Sequence, residues 1–316
     1  MPRIESTLAG FLNVNKPVGL TSHDVVARIR RWSGQKHTGH GGTLDPQANG
    51  VLPIALGPYT RLLEFIPEPK VYEADIILGV ATDSYDAEGA VTGRCDPAGI
   101  TLEAVACALP PFVGEAVMQR PPRFSALKRN GQRSYDLARA GDETELPERA
   151  VRMYSVEPLS SALPHIRLRV VCGKGTYVRS LAHDLGRVLG CGAHLSGLVR
   201  THNGPFSIDT AVDLAELETG LTQDPQRYLL DAGAALPHWP SVRLGEDRQA
   251  RVLQGLPLIL TVADLWPPKD LSVCGVQIPP EKELCLAYGP SGRTLAILQR
   301  DAGGFSWRPQ KVFPGT

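Results

Sequence analysis

An α+β fold with a mixed sheet, followed by a small β-rich domain, is predicted from three features of the chain. Strand-like and helical periods succeed one another without regular alternation, which disfavours a doubly wound parallel sheet. The 32 glycines and 27 prolines among 316 residues call for many turns and short strands. Composition shifts at Pro237 and Pro240, after which strand-like runs are separated by turns at Gly255, Pro267–Pro268, Pro279–Pro280 and Gly289. A length of 316 residues exceeds one minimal core, so two domains are expected, residues 1–239 and 240–316.

Residues 11–18 (FLNVNKPV) read as a strand ended by Pro17 and Gly19. Thr21 or Ser22 then caps a helix whose Val25, Val26, Ile29 and Trp32 share one face. Gly39, Gly41 and Gly42 break regular structure, so all of residues 39–46 is predicted as loop. Two further strands are expected, Val71–Val80 and Ile166–Cys172. In the second, Ile166, Leu168 and Val170 alternate with Arg167, Arg169 and Val171. After Gly173 and Gly175 a helix follows, with Val178, Leu181, Leu185 and Val188 buried and with Tyr177 and Arg179 at its first turn.

Hydrophobic residues at 42 % and charged residues at 21 % fit a soluble globular protein. No run reaches the roughly 18 apolar residues that a membrane span needs. The opening MPRIESTLAG has no apolar signal core, so a cytoplasmic protein is expected. Six cysteines, at 95, 107, 172, 191, 274 and 285, form neither a C-x-x-C pair nor a Cys/His cluster. They are therefore read as reduced, mostly buried thiols, with no metal site.

The net charge is zero, which by itself argues against a polyanionic partner. Its distribution argues the other way. Residues 25–44 carry Arg28, Arg30, Arg31 and Lys36 with no carboxylate; residues 118–133 carry Arg120, Arg123, Lys128, Arg129 and Arg133, again with none. Arg167, Arg169, Lys174 and Arg179 follow in 165–179, while acids gather at 142–148 and 209–218. A neutral total can hide a basic face, and local potential steers a polyanion. Three ordinary solvated faces are the plain alternative.

The segment richest in chemistry is G-H-G-G-T-L-D-P-Q-A-N-G-V-L, residues 39–52. Glycines let backbone approach a ligand closely, and Pro46 stiffens the chain just after Asp45. An aspartate on such a loop, five residues after His40, is suited to act as a nucleophile or a base. Local physics alone favours a cap on a turn or helix instead, because Asp before Pro is common in turns.

This wording resembles the signature of the TruB family of tRNA pseudouridine synthases, and the likeness extends beyond one loop. GFLNVNKPVGLTSHDVV resembles the family's opening strand and helix, and KVYEADIILGVATDSYDAEG its second motif. QRPPRFSALKRNGQRSYDLARAG resembles an RNA-gripping insertion, here about residues 120–149. GKGTYVRSLAHDLG and CGAHLSGLVR resemble the third and fourth motifs. The motifs keep the family's order over roughly residues 11 to 205.

The resemblance implies a pseudouridine-synthase-type mixed, mostly antiparallel sheet with flanking helices, followed by a PUA-like RNA-binding domain. It implies isomerisation of uridine 55 in the T loop of tRNA by a monomer, without cofactor or metal. Asp45 falls on the family's catalytic aspartate. Arg179 matches the arginine that pairs with it, where a guanidinium would stabilise the carboxylate's charge and fix its direction. The plainer reading is a surface arginine near a helix N-terminus, which the helix dipole disfavours.

Tyr72 matches the tyrosine expected to stack on the target base and to take part in proton transfer; otherwise it fills a sheet face. His40 matches a wedge beside the everted nucleotide, whose flipping costs a few kcal/mol. Tyr177 and Leu198 match walls of the uracil pocket, although both also suit a core. Asp86 matches a recurrent acid read as supporting the site. Lys128, Arg129 and Arg133 lie on the insertion, expected to be a mobile lid contacting phosphates. Gly41 and Asn49 depart from the threonines common in the family and bear on loop rigidity.

Other enzyme and binding classes fit the sequence less well. A glycosidase needs a second opposing carboxylate and a phosphatase a metal cluster, neither evident around Asp45. An RNA-binding or tRNA-folding chaperone would keep the basic stretches without the chemistry. A guide-RNA-dependent rRNA pseudouridine synthase subunit shares the catalytic motifs but generally has partners and longer extensions. Attack at C1′, addition at C6 and a glycal route remain open for the step after Asp45 acts.

Overall fold

The computed structural model describes residues 8–124, 128–129, 132–133, 144, 146–302 and 304–313, with backbone alone at 128–129, 132–133 and 161. The chain begins with β1 (Gly10–Lys16), α1 (Ser22–Ser33), β2 (Thr38–His40), β3 (Ala48–Leu56) and β4 (Lys70–Leu78). A hairpin of β5 (Val80–Thr82) and β6 (Val91–Arg94) leads to α2 (Leu102–Ala108) and β7 (Gly114–Gln119). Next come the hairpin β8 (Lys128–Arg129) and β9 (Gln132–Arg133), then β10 (Arg149–Ala162), β11 (His165–Cys172), α3 (Val178–Val188) and β12 (Ala193–Asn203). After them stand β13 (Phe206–Ser207), β14 (Val212–Asp213) and α4 (Leu214–Gln223). The remaining strands are β15 (Ser241–Arg243), β16 (Leu258–Ile259), β17 (Leu271–Val273), β18 (Val276–Ile278), β19 (Leu284–Tyr288), β20 (Thr294–Arg300) and β21 (Ser306–Val312).

The chain divides into two compact units, one of Met1–Pro67 with His202–Thr316, the other of Glu68–Thr201. In the first, β1 pairs antiparallel with β3 over its whole length and parallel with β14, while β2 adds antiparallel to β3. Thr21 starts α1 with a reciprocal cap: its hydroxyl accepts from the Asp24 amide (3.0 Å) and its own amide donates to the Asp24 carboxylate (2.9 Å). Val25, Val26 and Ile29 then bury the predicted face. Residues 39–46 are not all loop as expected, because Gly39 and His40 pair with Ala55 and Ile54. Glycine spacing marked the break two residues early, since an edge strand tolerates a glycine that pairs through its backbone.

The five-stranded order β15-β19-β20-β21-β16 gives the β-rich C-terminal region, mostly antiparallel with β15 parallel to β19. Its Leu286, Ile297 and Phe313 share one buried cluster with Phe11, Tyr59, Phe206 and Trp239. Phe11 and Tyr59 meet edge to face, with centroids 5.5 Å apart, and the Tyr59 hydroxyl donates to Thr294 at 2.9 Å. Fully burying rings of this size stabilises by about 2–3 kcal/mol each, so the core continues across Pro240.

In the second unit the strand order is β12-β4-β11-β10-β7. β4 and β11 pair antiparallel from His165↔Ile77 to Cys172↔Lys70. Ile166, Leu168 and Val170 are buried and Arg167 is exposed, as the alternation predicted. α3 buries Val178, Leu181 and Leu185, but Val188 is 58 % exposed, contrary to expectation. It is the last residue of the helix. The cysteines also differ from the reading: Cys172, Cys191 and Cys285 are buried, whereas Cys95 just after β6, Cys107 in α2 and Cys274 on a turn are exposed.

Candidate active site

In the first unit, Asp45 lies half-buried on a turn between buried Leu44 and Ala48. The turn is anchored at three levels. Ser22, buried at the start of α1, donates to the Leu44 carbonyl (3.0 Å) and accepts from the Leu44 amide (2.8 Å). Lys16 is fully buried, and its ammonium donates to the carbonyls of Pro17 (3.0 Å), Leu20 (2.6 Å) and Pro46 (3.3 Å). The Asp45 carbonyl accepts from the Ala48 amide at 3.1 Å, closing the turn through Pro46. These bonds fix the backbone on both sides of Asp45.

His40 ends β2, and its Nδ1 accepts from the Gly42 amide at 3.3 Å. Gly42 takes φ 128°, open to glycine and costly for other residues, so this fold-back of the loop requires it. Buried Asn203 donates to the Gly41 carbonyl at 2.9 Å and holds the loop from the other side.

In the second unit, Arg179 is 6 % exposed on the first turn of α3. One guanidinium nitrogen donates to the Asp86 carboxylate at 3.1 Å and to the Ser84 carbonyl at 3.4 Å; the other donates to the Phe124 carbonyl at 3.0 Å. Asp86 is held in turn by the Ser84 hydroxyl (2.5 Å) and the Glu88 amide (3.1 Å). Gly89 closes this turn, where a Cβ would collide with Ser84. Asp86, a minor candidate on sequence grounds, is thus a direct partner of Arg179.

Tyr177 precedes α3 and exchanges two hydrogen bonds with buried Gln119: its amide donates to Oε1 (2.7 Å) and its carbonyl accepts from Nε2 (2.8 Å). The Arg149 guanidinium lies over the Tyr177 ring, 4.9 Å from its centroid. Tyr72 is 7 % exposed on β4 opposite Val170, and Leu198 is half-buried on β12. Lys70 shares the Tyr72 face, and its ammonium is pushed down to about 8, first by burial and then by the Arg200 charge. Lys128, Arg129 and Arg133 lie on the β8–β9 hairpin, and their side chains, like most of the expected lid, lie outside the described residues.

The basic stretches are less bare than their sequence suggests. Arg120 pairs with Glu148 at 3.2 Å, and Arg167 holds Asp75 through two bonds of 2.6 and 2.9 Å. Sheet pairing supplies these partners from segments distant in sequence. Lys16, Ser22, Gln119 and Asn203 were missed as supporting residues. Lys16 alone carried a signal, since it continues the inward period of Leu12 and Val14.

An acid on a braced glycine turn in one unit, and a buried arginine–carboxylate pair at a helix start in the other, are each groups that enzymes use. The comparisons narrow that class. The model of the TruB family pseudouridylate synthase N-terminal domain matches residues 30–178, and that of the tRNA pseudouridylate synthase B C-terminal domain matches residues 179–234. A tRNA pseudouridine synthase B of Dehalococcoides mccartyi is 43% identical over 306 residues, 96% of each chain. One from Synechocystis is 45% identical over 276 residues, 84% of this chain and 93% of its own. Among solved structures, a Cbf5-Nop10-Gar1 complex matches with TM-score 0.66 at 28% identity, covering 96% of this chain and 84% of that one. An H/ACA RNP bound to a substrate RNA containing 2'-deoxyuridine matches with TM-score 0.66 at 26% identity, with the same coverage. The chain belongs to the TruB family of pseudouridine synthases.

Proposed function

We propose that this chain is a tRNA pseudouridine synthase that isomerises uridine 55 of the T loop, with Asp45 as nucleophile. The observation that carries the reading is the half-buried Asp45 carboxylate on a turn braced by Lys16 and Ser22. Relatives named tRNA pseudouridine synthase B reach 43–45% identity, against 26–28% for the Cbf5 and H/ACA structures, which favours tRNA over a guide-RNA-dependent role.

The reaction breaks N1–C1′ and forms C5–C1′; C5 gives up a proton and N1 takes one. Atoms and electrons balance without oxidant or reductant. The carboxylate stabilises or traps the electron-poor ribose while the base turns, then departs. Arg179 directs Asp45 and offsets its charge. Tyr72 stacks on the base and serves proton transfer, Tyr177 and Leu198 wall the pocket against water, and His40 wedges beside the everted nucleotide. Lys128 and Arg129 grip phosphates. Residues 1–239 form the catalytic part and 240–316 a PUA-like RNA-binding part of a cytoplasmic monomer.

The test is incubation with a T-stem-loop RNA followed by mapping of pseudouridine. Asp45→Asn is expected to bind the RNA and form no product; product from that variant would defeat the assigned chemistry. Affinity should fall steeply with salt, as phosphate contacts require. Binding without product by the wild type would favour an RNA chaperone.

A further inference from the structure

The turn that carries Asp86 docks on α3 through two consecutive side chains. Asp86 meets Arg179, and Tyr85 lies on His183 with ring centroids 3.9 Å apart and planes 19° from parallel. Arg179 and His183 are four residues apart, hence neighbours on one helix face. Tyr85 takes φ 65°, a left-handed conformation unfavourable for a residue with a Cβ. This backbone lets one ring and the next carboxylate reach the same helix. The Tyr85 carbonyl also accepts from the Leu195 amide at 3.0 Å, which fixes the turn on its other side.

His183 contributes a ring face rather than a hydrogen bond, because its Nδ1 is buried with no partner among the described residues. Burial, and then the Arg187 charge, push its titration down, which disfavours a charged ring in the stack. Hydrogen bonds inside the turn set its shape, but the stack is a second anchor to the helix, independent of charge.

We infer that the Tyr85–His183 stack is a positioning device, holding the Asp86 turn on α3 so that Asp86 keeps the Arg179 guanidinium in its working orientation. The inference rests on the reading that Arg179 serves the reaction. Tyr85 and His183 themselves touch no reacting atom.

The test uses the full chain with T-stem-loop RNA. His183→Leu keeps the buried volume and loses the stack, His183→Phe keeps the stack, and Tyr85→Gly keeps the left-handed backbone without the ring. His183→Leu and Tyr85→Gly are expected to lower kcat about tenfold, with KM within about twofold, and His183→Phe to restore it. Hydrogen exchange at the Glu88 amide, which donates to Asp86, should speed up about tenfold in the same two variants and not in His183→Phe. Wild-type kcat and exchange in folded His183→Leu would overturn the inference, as would a loss falling on KM alone. Should the wild type make no pseudouridine, the functional reading fails, and the exchange measurement still decides the clamp.

Discussion

Ser22 and Leu44 exchange two hydrogen bonds, 3.0 and 2.8 Å long, tying the first residue of α1 to the residue before Asp45. Both groups are buried, so each bond is made away from water. Ser22→Ala would strand the Leu44 amide and carbonyl together. Chemical denaturation should give a loss of about 1–3 kcal/mol. Pseudouridine formation should fall further than stability explains, because the loosened residue adjoins Asp45. Unchanged stability in Ser22→Ala would mean the exchange is incidental.

Asp86→Ala removes the carboxylate from a guanidinium whose side chain is only 7 % exposed. Breaking a buried pair from one side typically costs about 3–5 kcal/mol; because Asp86 is itself 15 % exposed, about 3 kcal/mol is expected. Asp86→Asn should lose less stability and still lower kcat, since an amide can accept the hydrogen bond but carries no charge. Equal kcat in wild type and Asp86→Asn would separate the pair from catalysis.

Lys70 titrates near 8 in the folded protein because burial, and then the Arg200 and Lys174 charges, disfavour its ammonium. The unfolded chain keeps that proton to a higher pH and so binds more protons above about 8. Stability should therefore rise as pH climbs from about 8 toward 10 and be lost again on descending through 8. Lys70→Met should be more stable than wild type at pH 7, with the gap closing toward pH 10. Denaturation midpoints at several pH values measure this, and a gap independent of pH would refute it.

Thiol chemistry should divide the cysteines in half. Cys95, Cys107 and Cys274 are exposed, whereas Cys191 is buried and burial pushes Cys172 and Cys285 up to about 12. A maleimide applied to the native protein should label three sites quickly, and all six only after unfolding. Mass spectrometry of the labelled peptides reads the result. Rapid native labelling of Cys172 or Cys285 would contradict the burial described.

Local sequence determined the pieces whose cause is local. Thr21 and Asp24 cap α1 because capping needs only a short spacing, and Ile166, Leu168 and Val170 face inward because a strand repeats every two residues. The start of α3 at Tyr177 and Arg179 was legible in the same way, whereas the segment around Asp45 stood out only through its family resemblance. Only the tertiary structure decided what depends on partners far along the chain. Arg179 meets Asp86 across 93 residues, Asn203 reaches the Gly41 carbonyl across 162, and Lys16 becomes a buried brace. Val188 is exposed although it continues the buried period, because helical period states which residues share a face but not which of them the rest of the chain covers. Such pairings are selected by the desolvation cost of leaving a charge or amide unmatched, and that cost exists only once the chain has closed around it.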